Sequence, residues 1–317
     1  MTRLPEHPRH THTAVIGAGT MGADVAVVLA RGGSQVTLVE PNPEQRARVK
    51  ARLLAGLEPL GMAERVDHVR LVASLQDVDW QPVALVVECI TEQLAPKQAL
   101  FAQLVQLAPA HTVLASNSSG IPISAIGQGL PTAPRMVGLH FFMPAHLVPL
   151  VEVVLGPQTD VELAERLCHY MRGCGSVPVL VRKDKPGFLA NRLQHALSRE
   201  AFALIDEGIA SPEDVDAAVR FGFGFRFLAA GPVLQRDHAG LEIHTAAAAT
   251  IYPSLCNSDA PAQALQQRVA AGKLGMKTGE GFYKWSAEQI SAERQRYDRK
   301  LQQGLALLAD ELPALAP

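Results

Sequence analysis

The chain has 317 residues, 48% hydrophobic and 19% charged, and its 29 Lys and Arg against 31 Asp and Glu leave a net charge of -2. That length exceeds one ordinary compact core and implies two domains, while the near-neutral balance excludes the concentrated positive field that a nucleic-acid-binding protein needs. The composition is that of a soluble globular protein, no apolar run reaches the roughly 18 residues of a membrane span, and Cys89, Cys168, Cys174 and Cys256 form neither a disulfide framework nor a CxxC metal pattern, so no metal and a reducing cytoplasm are expected.

The first twelve residues, rich in His, Pro and Arg and without an apolar stretch, read as a loose leader rather than a signal peptide. From Thr13 onward, short β-branched runs alternate with segments of helical period, the pattern of parallel βαβ units. Ala14 to Ile16 is the first strand, and Gly17-Ala18-Gly19-Thr20-Met21-Gly22 follows it directly and opens a helical pattern over Ala23 to Arg31. A G-x-G-x-x-G turn alone is a weak signal. Here Val36 to Val39 forms the next strand and ends on Glu40, eighteen residues after Gly22, which is the full context of a dinucleotide site. Gly17 serves the tight turn, Gly19 the approach of a pyrophosphate, and Gly22 close helix-sheet packing, with Thr20 and Met21 in the helix start that supplies amide donors. Glu40 suits both ribose hydroxyls of NAD and repels the extra phosphate of NADP.

Further strands are expected over Ala84 to Val87, Thr112 to Ala115, Met136 to Leu139, Val151 to Val154 and Val177 to Val181, the last at a sheet edge because Pro178 cannot donate to a ladder. After Pro186-Gly187 the character changes: Phe188 to Gly208 has the spacing of a long helix, Ser211-Pro212-Glu213-Asp214 has the form of a helix start, and Thr245 to Thr250 is alanine-rich. The expected architecture is α/β, a Rossmann-type doubly wound sheet over residues 1–184 followed by an all-helical domain over 185–317.

Hydride removal from a secondary alcohol needs a base, and histidine titrates in the right range. His140 follows an apolar strand, as Ser116-Asn117-Ser118-Ser119 does, and ligands of doubly wound sheets sit at such strand ends. Glu152, twelve residues on, is near enough for a returning strand to bring its carboxylate against the imidazole, fixing the tautomer and stabilising the imidazolium. The alternative for His140 is a buried histidine that only satisfies hydrogen bonds.

These segments, together with Val86 to Glu92, His140 to Pro144, Leu150 to Val153 and Pro186 to Arg192, resemble the ordered motifs of the 3-hydroxyacyl-CoA dehydrogenase family from about residue 12 to 285. The resemblance implies an NAD-dependent enzyme with His140 as base and Glu152 as its partner. It further implies that Ser119 and Asn191 polarise substrate oxygens, that Asn117 and Glu92 lie at the cofactor, with Glu92 near the nicotinamide ribose, and that the helical domain forms a homodimer. Ser119 as a helix cap, Asn191 as a backbone partner and Glu92 as a solvated acid are the alternatives.

Two departures stand out. Methionine occupies position 143, where the family usually has asparagine, so one polar contact is lost. Where members that grip coenzyme A place lysines and serines, this chain reads Gly56-Leu57-Glu58-Pro59-Leu60-Gly61-Met62, with Arg46, Arg48, Lys50 and Arg52 lying earlier as a charged helix face. The distal run Phe221 to Phe227 and Gly231-Pro232 resembles lambda-crystallin, L-gulonate 3-dehydrogenase and carnitine dehydrogenase, which implies Arg226 as a carboxylate clamp, an interface ion pair being its alternative. Lys273 to Tyr283 instead resembles the hydroxybutyryl-CoA enzymes. The first expectation is therefore oxidation of a short-chain L-3-hydroxyacyl-CoA in fatty acid metabolism. The second is oxidation of a free 3-hydroxy acid, and the third a non-catalytic, crystallin-like nucleotide-binding protein.

Overall fold

The structure, a computed structural model, describes residues 4–316. In chain order the first part comprises β1 (His12–Ile16), α1 (Thr20–Arg31), β2 (Gln35–Val39), α2 (Pro43–Leu57), β3 (Val69–Val72), β4 (Val83–Glu88), α3 (Leu94–Leu107), β5 (Val113–Ser116), α4 (Ile123–Ile126), β6 (Met136–Phe141), β7 (Leu150–Val154), α5 (Val161–Gly173) and β8 (Val177–Val181). The helices α6 (Ala190–Asp206), α7 (Pro212–Ala217), α8 (Gly224–Arg226), α9 (Leu234–Ala239), α10 (Leu241–Ile251), α11 (Gln263–Ala270) and α12 (Ala287–Leu307) follow. Contacts divide the chain into one compact unit that runs to Asn191 and regains the segment from Ala309, and a second unit, Arg192–Leu308. The first unit thus extends past residue 184, because Leu189 and Ala190 donate backbone bonds to Glu152 on β7, and Ala316 returns to donate to the Gly173 carbonyl.

The eight strands lie in the order β3-β2-β1-β4-β5-β6-β7-β8, parallel throughout except that β7 runs antiparallel to β6. This is the doubly wound Rossmann arrangement, and the order reverses between β1 and β4, where the carboxyl ends of the strands open a crevice. β8 is an edge strand paired only with β7, so the missing N–H of Pro178 leaves no ladder position unfilled. The strand β3 has no counterpart among the expected strands. It is four residues long, lies at the other edge and buries only Val72, which leaves little apolar pattern to read.

Side-chain alternation along the strands makes two cores. On one face Val15, Leu38, Leu85 and Val87 pack under α1 and α5 with Val25, Leu29, Leu167 and Tyr170. On the other, Ile16, Val86 and Leu114 meet Phe101 and Leu104 of α3. The opening segment is not loose over residues 4–11. Leu4 and Pro8 are buried, His10 donates its N–H to the Gly33 carbonyl, and Ser34 donates to the Pro8 carbonyl. Two apolar contacts and this backbone pairing hold the segment against α1, and its abundance of polar side chains hides them. Among the described residues no helix is long and apolar enough to cross a membrane.

Within the second unit, Phe202 stacks on Phe282 at 5.4 Å and Arg268 lies 3.9 Å over the same ring. Asp206 accepts from the amides of Gln263 and Ala264 at the start of α11. Ser211 accepts from Asp214 N–H and caps α7. Ala264 is the one buried hydrophobic residue among those described in this unit, while Phe221, Phe225, Val233, Leu241 and Ile243 are exposed.

Candidate active site

The glycine turn leads from the end of β1 into α1, which starts at Thr20 rather than after Gly22. Gly17 has φ of 95°, and a Cβ there would lie 2.9 Å from the Cys89 carbonyl oxygen beyond β4. A Cβ on Gly22 would sit 1.7 Å from the Gly17 carbonyl oxygen, so this glycine lets the helix start close against the turn itself. A Cβ on Gly19 would meet nothing within 4 Å. The α1 N-terminus carries no side-chain cap, leaving first-turn N–H groups with the positive end of the helix dipole over that open face. An open, donor-rich turn at the switch point fits a dinucleotide pyrophosphate.

Glu40, buried at the end of β2, accepts from Ala18 N–H at 2.9 Å through one oxygen and from Asn42 N–H at 2.8 Å through the other. Each oxygen keeps a further lone pair for a hydroxyl. The basic residues of α2 are not uniformly a solvated face. Arg46 donates to the carbonyls of Glu40 and Pro41, and Arg52 pairs with buried Asp24 at 3.2 Å.

The antiparallel register of β6 and β7 sets His140 directly opposite Glu152. Nδ1 of His140 and Oε2 of Glu152 are 2.7 Å apart, both residues being buried. The second carboxylate oxygen accepts from the amides of Leu189 and Ala190 at 3.0 and 2.8 Å. Burial alone would raise the Glu152 pKa, but the bonds from His140 and these two amides more than offset it and hold the carboxyl below its ordinary value. An ionised Glu152 requires Nδ1 to be the donor, which leaves the lone pair of a neutral imidazole on Nε2. The rings of Phe142 and Phe188 pack on His140 at 4.5 and 5.6 Å.

The loop after β5 is fixed by Glu92, expected at the cofactor, together with Lys97 and Glu88, to which the sequence assigned no role. Lys97 of α3, 1% exposed, lies 2.7 Å from Glu88 and 3.4 Å from Glu92. Glu88 also accepts from Ser116, while Glu92 accepts from the Ser118 hydroxyl and from Ser119 and Gly120 N–H. Burial would raise the Glu92 pKa, and bonds from Ser118 and Gly120 with the Lys97 charge bring it down. Asn117 accepts from Phe141 N–H at 2.9 Å, joining the ends of β5 and β6 beside His140. Asn191 donates to the Ser119 carbonyl at 3.4 Å. The structure therefore gathers His140, Glu152, Asn117, Ser119, Glu92 and Asn191 at neighbouring strand ends of the first unit. Met143 is exposed in the loop after β6, and Arg226 is exposed at the end of α8 in the second unit. A lysine among the apolar positions of α3 was the available signal for Lys97, and Ser118 lay within the strand-end run Ser116 to Ser119 without a role of its own.

Residues 12–185 match the family model for the NAD binding domain of 3-hydroxyacyl-CoA dehydrogenase, and residues 187–285 match that for its C-terminal domain. The 5-formyl-3-hydroxy-2-methylpyridine 4-carboxylate 5-dehydrogenase of Mesorhizobium japonicum is 35% identical over 294 residues, covering 91% of this chain and 95% of that protein. A crystal structure of a dehydrogenase of the same description, an NAD+ dependent dismutase, superimposes with a TM-score of 0.89 at 34% identity, covering 94% of this chain and 98% of its own. That of an Escherichia coli 3-hydroxybutyryl-CoA dehydrogenase gives 0.72 at 34% identity over 87% of this chain, which spans 60% of that structure.

Proposed function

Given that the chain belongs to the 3-hydroxyacyl-CoA dehydrogenase family and is an NAD-dependent oxidoreductase, we propose that it oxidises the secondary alcohol of a small free hydroxy acid, with His140 as general base. The observation that carries the chemistry is the 2.7 Å pair of His140 and Glu152. Nε2 takes the hydroxyl proton as the carbon-oxygen bond gains double-bond character, and Glu152 stabilises the imidazolium that results. Bound NAD supplies the acceptor for the hydride. The amides of the glycine turn hold its pyrophosphate, Glu40 its ribose, and Asn117 and Glu92 the side of the site nearest the nicotinamide. Ser119 and Asn191 orient the substrate oxygens.

Four observations favour the free acid over the thioester. Gly56 packs onto Val27, where a Cβ would lie 3.0 Å from both methyl groups, so that position faces the core. Arg65, in the short stretch between α2 and β3, donates to the carbonyls of Ala30 and Arg31 at the end of α1, and Glu58 adds negative charge where a polyanionic coenzyme would need cations. The higher structural similarity is to a dehydrogenase of a carboxylate. The second reading, a short-chain L-3-hydroxyacyl-CoA, is favoured by the family itself. Steady-state assays of pure protein with NAD and either free secondary hydroxy acids, including gulonate, carnitine and 3-hydroxybutyrate, or 3-hydroxybutyryl-CoA separate the two. A higher kcat/KM with a free acid supports the first reading, and preference for the thioester rejects it. Exposed apolar side chains on the second unit support a homodimer, and four free thiols support a cytoplasmic location.

A further inference from the structure

The segment between β8 and α6 contains a conformation that proton transfer by His140 does not by itself require. Gly187 and the following Phe188 both have left-handed φ, 77° and 48°. Glycine enters that region freely, whereas phenylalanine does so against the steric preference of its side chain and stays there only where its surroundings enforce it. Phe188 is 4% exposed, its ring centroid lies 5.6 Å from that of His140, and its N–H closes a turn on the Lys185 carbonyl. The two amides that follow it, those of Leu189 and Ala190, converge on the same oxygen of Glu152.

We propose that Phe188 is a positioning residue for the base: its left-handed backbone aims two N–H donors at Glu152, and its ring keeps water off the imidazole. The proposal rests on the reading of His140 as the base. A carboxylate oriented only by its contact with His140 would be free to turn about its side-chain torsions. With the second oxygen held by two amides at the start of α6, where donors are unsatisfied within the helix and the dipole favours negative charge, the first oxygen stays in line with Nδ1. Drying the pocket strengthens that contact by lowering the local dielectric. Glu152 is the charged group bonded to the imidazole among the described residues, while Phe142 and Phe188 cover it with hydrocarbon.

Two substitutions separate the backbone from the ring. Phe188→Gly keeps the left-handed backbone and removes the ring. Phe188→Val introduces a β-branched side chain that resists this φ and so turns the amides off Glu152. The readout is the downfield proton resonance of the Nδ1–H that His140 donates to Glu152, assigned by its loss in His140→Gln. In Phe188→Gly the resonance exchanges faster with water, because the ring no longer covers the imidazole. In Phe188→Val it moves upfield, because Glu152 is no longer held in line with Nδ1, and NAD affinity stays within about twofold of wild type in both. If Phe188→Val does not bind NAD, Phe188→Gly decides alone. A resonance unchanged in position and exchange rate in NAD-binding protein overturns the proposal and leaves Phe188 a packing residue. Turnover surviving in His140→Gln would instead reject the base assignment beneath it, so the two failures are distinguishable.

Discussion

Glu152 carries an ionised carboxylate in a place from which water is excluded, and it does so because its oxygens accept from His140, Leu189 and Ala190. Since folding lowers its pKa, the carboxylate binds a proton less readily in the folded than in the unfolded chain. Its stabilising contribution is therefore present above the ordinary carboxylate pKa and lost as pH falls through the depressed folded value. Chemical denaturation of wild type and Glu152→Gln should show the larger stability difference near neutrality and a shrinking one below about pH 4; a constant difference would mean that Glu152 is not ionised in the fold. His140 and Glu152 were legible in the sequence because a strand, a turn and a returning strand are all that twelve residues permit. Lys97 and Glu88 were not, since one buried ion pair leaves no periodicity, and its partners become visible only when β4, β5 and α3 are brought together.

At the level of elements, the turn between β1 and α1 shows where motif reading succeeds and where it assigns the wrong reason. Gly17 and Gly22 are required by the fold and Gly19 leaves the face open toward the cofactor, yet Gly22 faces the Gly17 carbonyl rather than the sheet. Gly22→Ala should therefore distort the pyrophosphate turn and raise the dissociation constant for NAD by tenfold or more, roughly the loss of one or two good hydrogen bonds, as measured by nicotinamide fluorescence. Unchanged affinity would show that the turn can open without cost. The buried strands were legible as continuous apolar runs, and Pro178 marked the edge correctly. The edge strand β3 was not, because pairing on one side and partial exposure leave it without a pattern. Residues 4–11 misled for the opposite reason, since their polar majority concealed Leu4 and Pro8, which are buried.

For the whole molecule, the contrast between the two units is decisive. The first buries two cores against one sheet; the second, over Arg192–Leu308, leaves large apolar residues such as Phe221, Val233 and Ile243 in contact with solvent. Apolar exposure on that scale marks an interaction surface, and the proposed homodimer predicts a sedimentation mass near twice the 34.0 kDa of the chain and a melting temperature that rises with protein concentration. A monomer at micromolar concentration would contradict it. Substrate choice was the least legible property in the sequence because the proposed preference rests on the packing of Gly56 and the carbonyl partners of Arg65, which emerge only in the fold.

In the proposed reaction His140 moves the substrate proton, while the cofactor site is built separately, on the glycine turn and Glu40. His140→Gln tests it most directly, with turnover and NAD binding measured on the same preparation. The structure predicts turnover lower by about two to four orders of magnitude, the usual contribution of a general base, with NAD affinity within about twofold of wild type. Retained turnover would show that another group takes the proton.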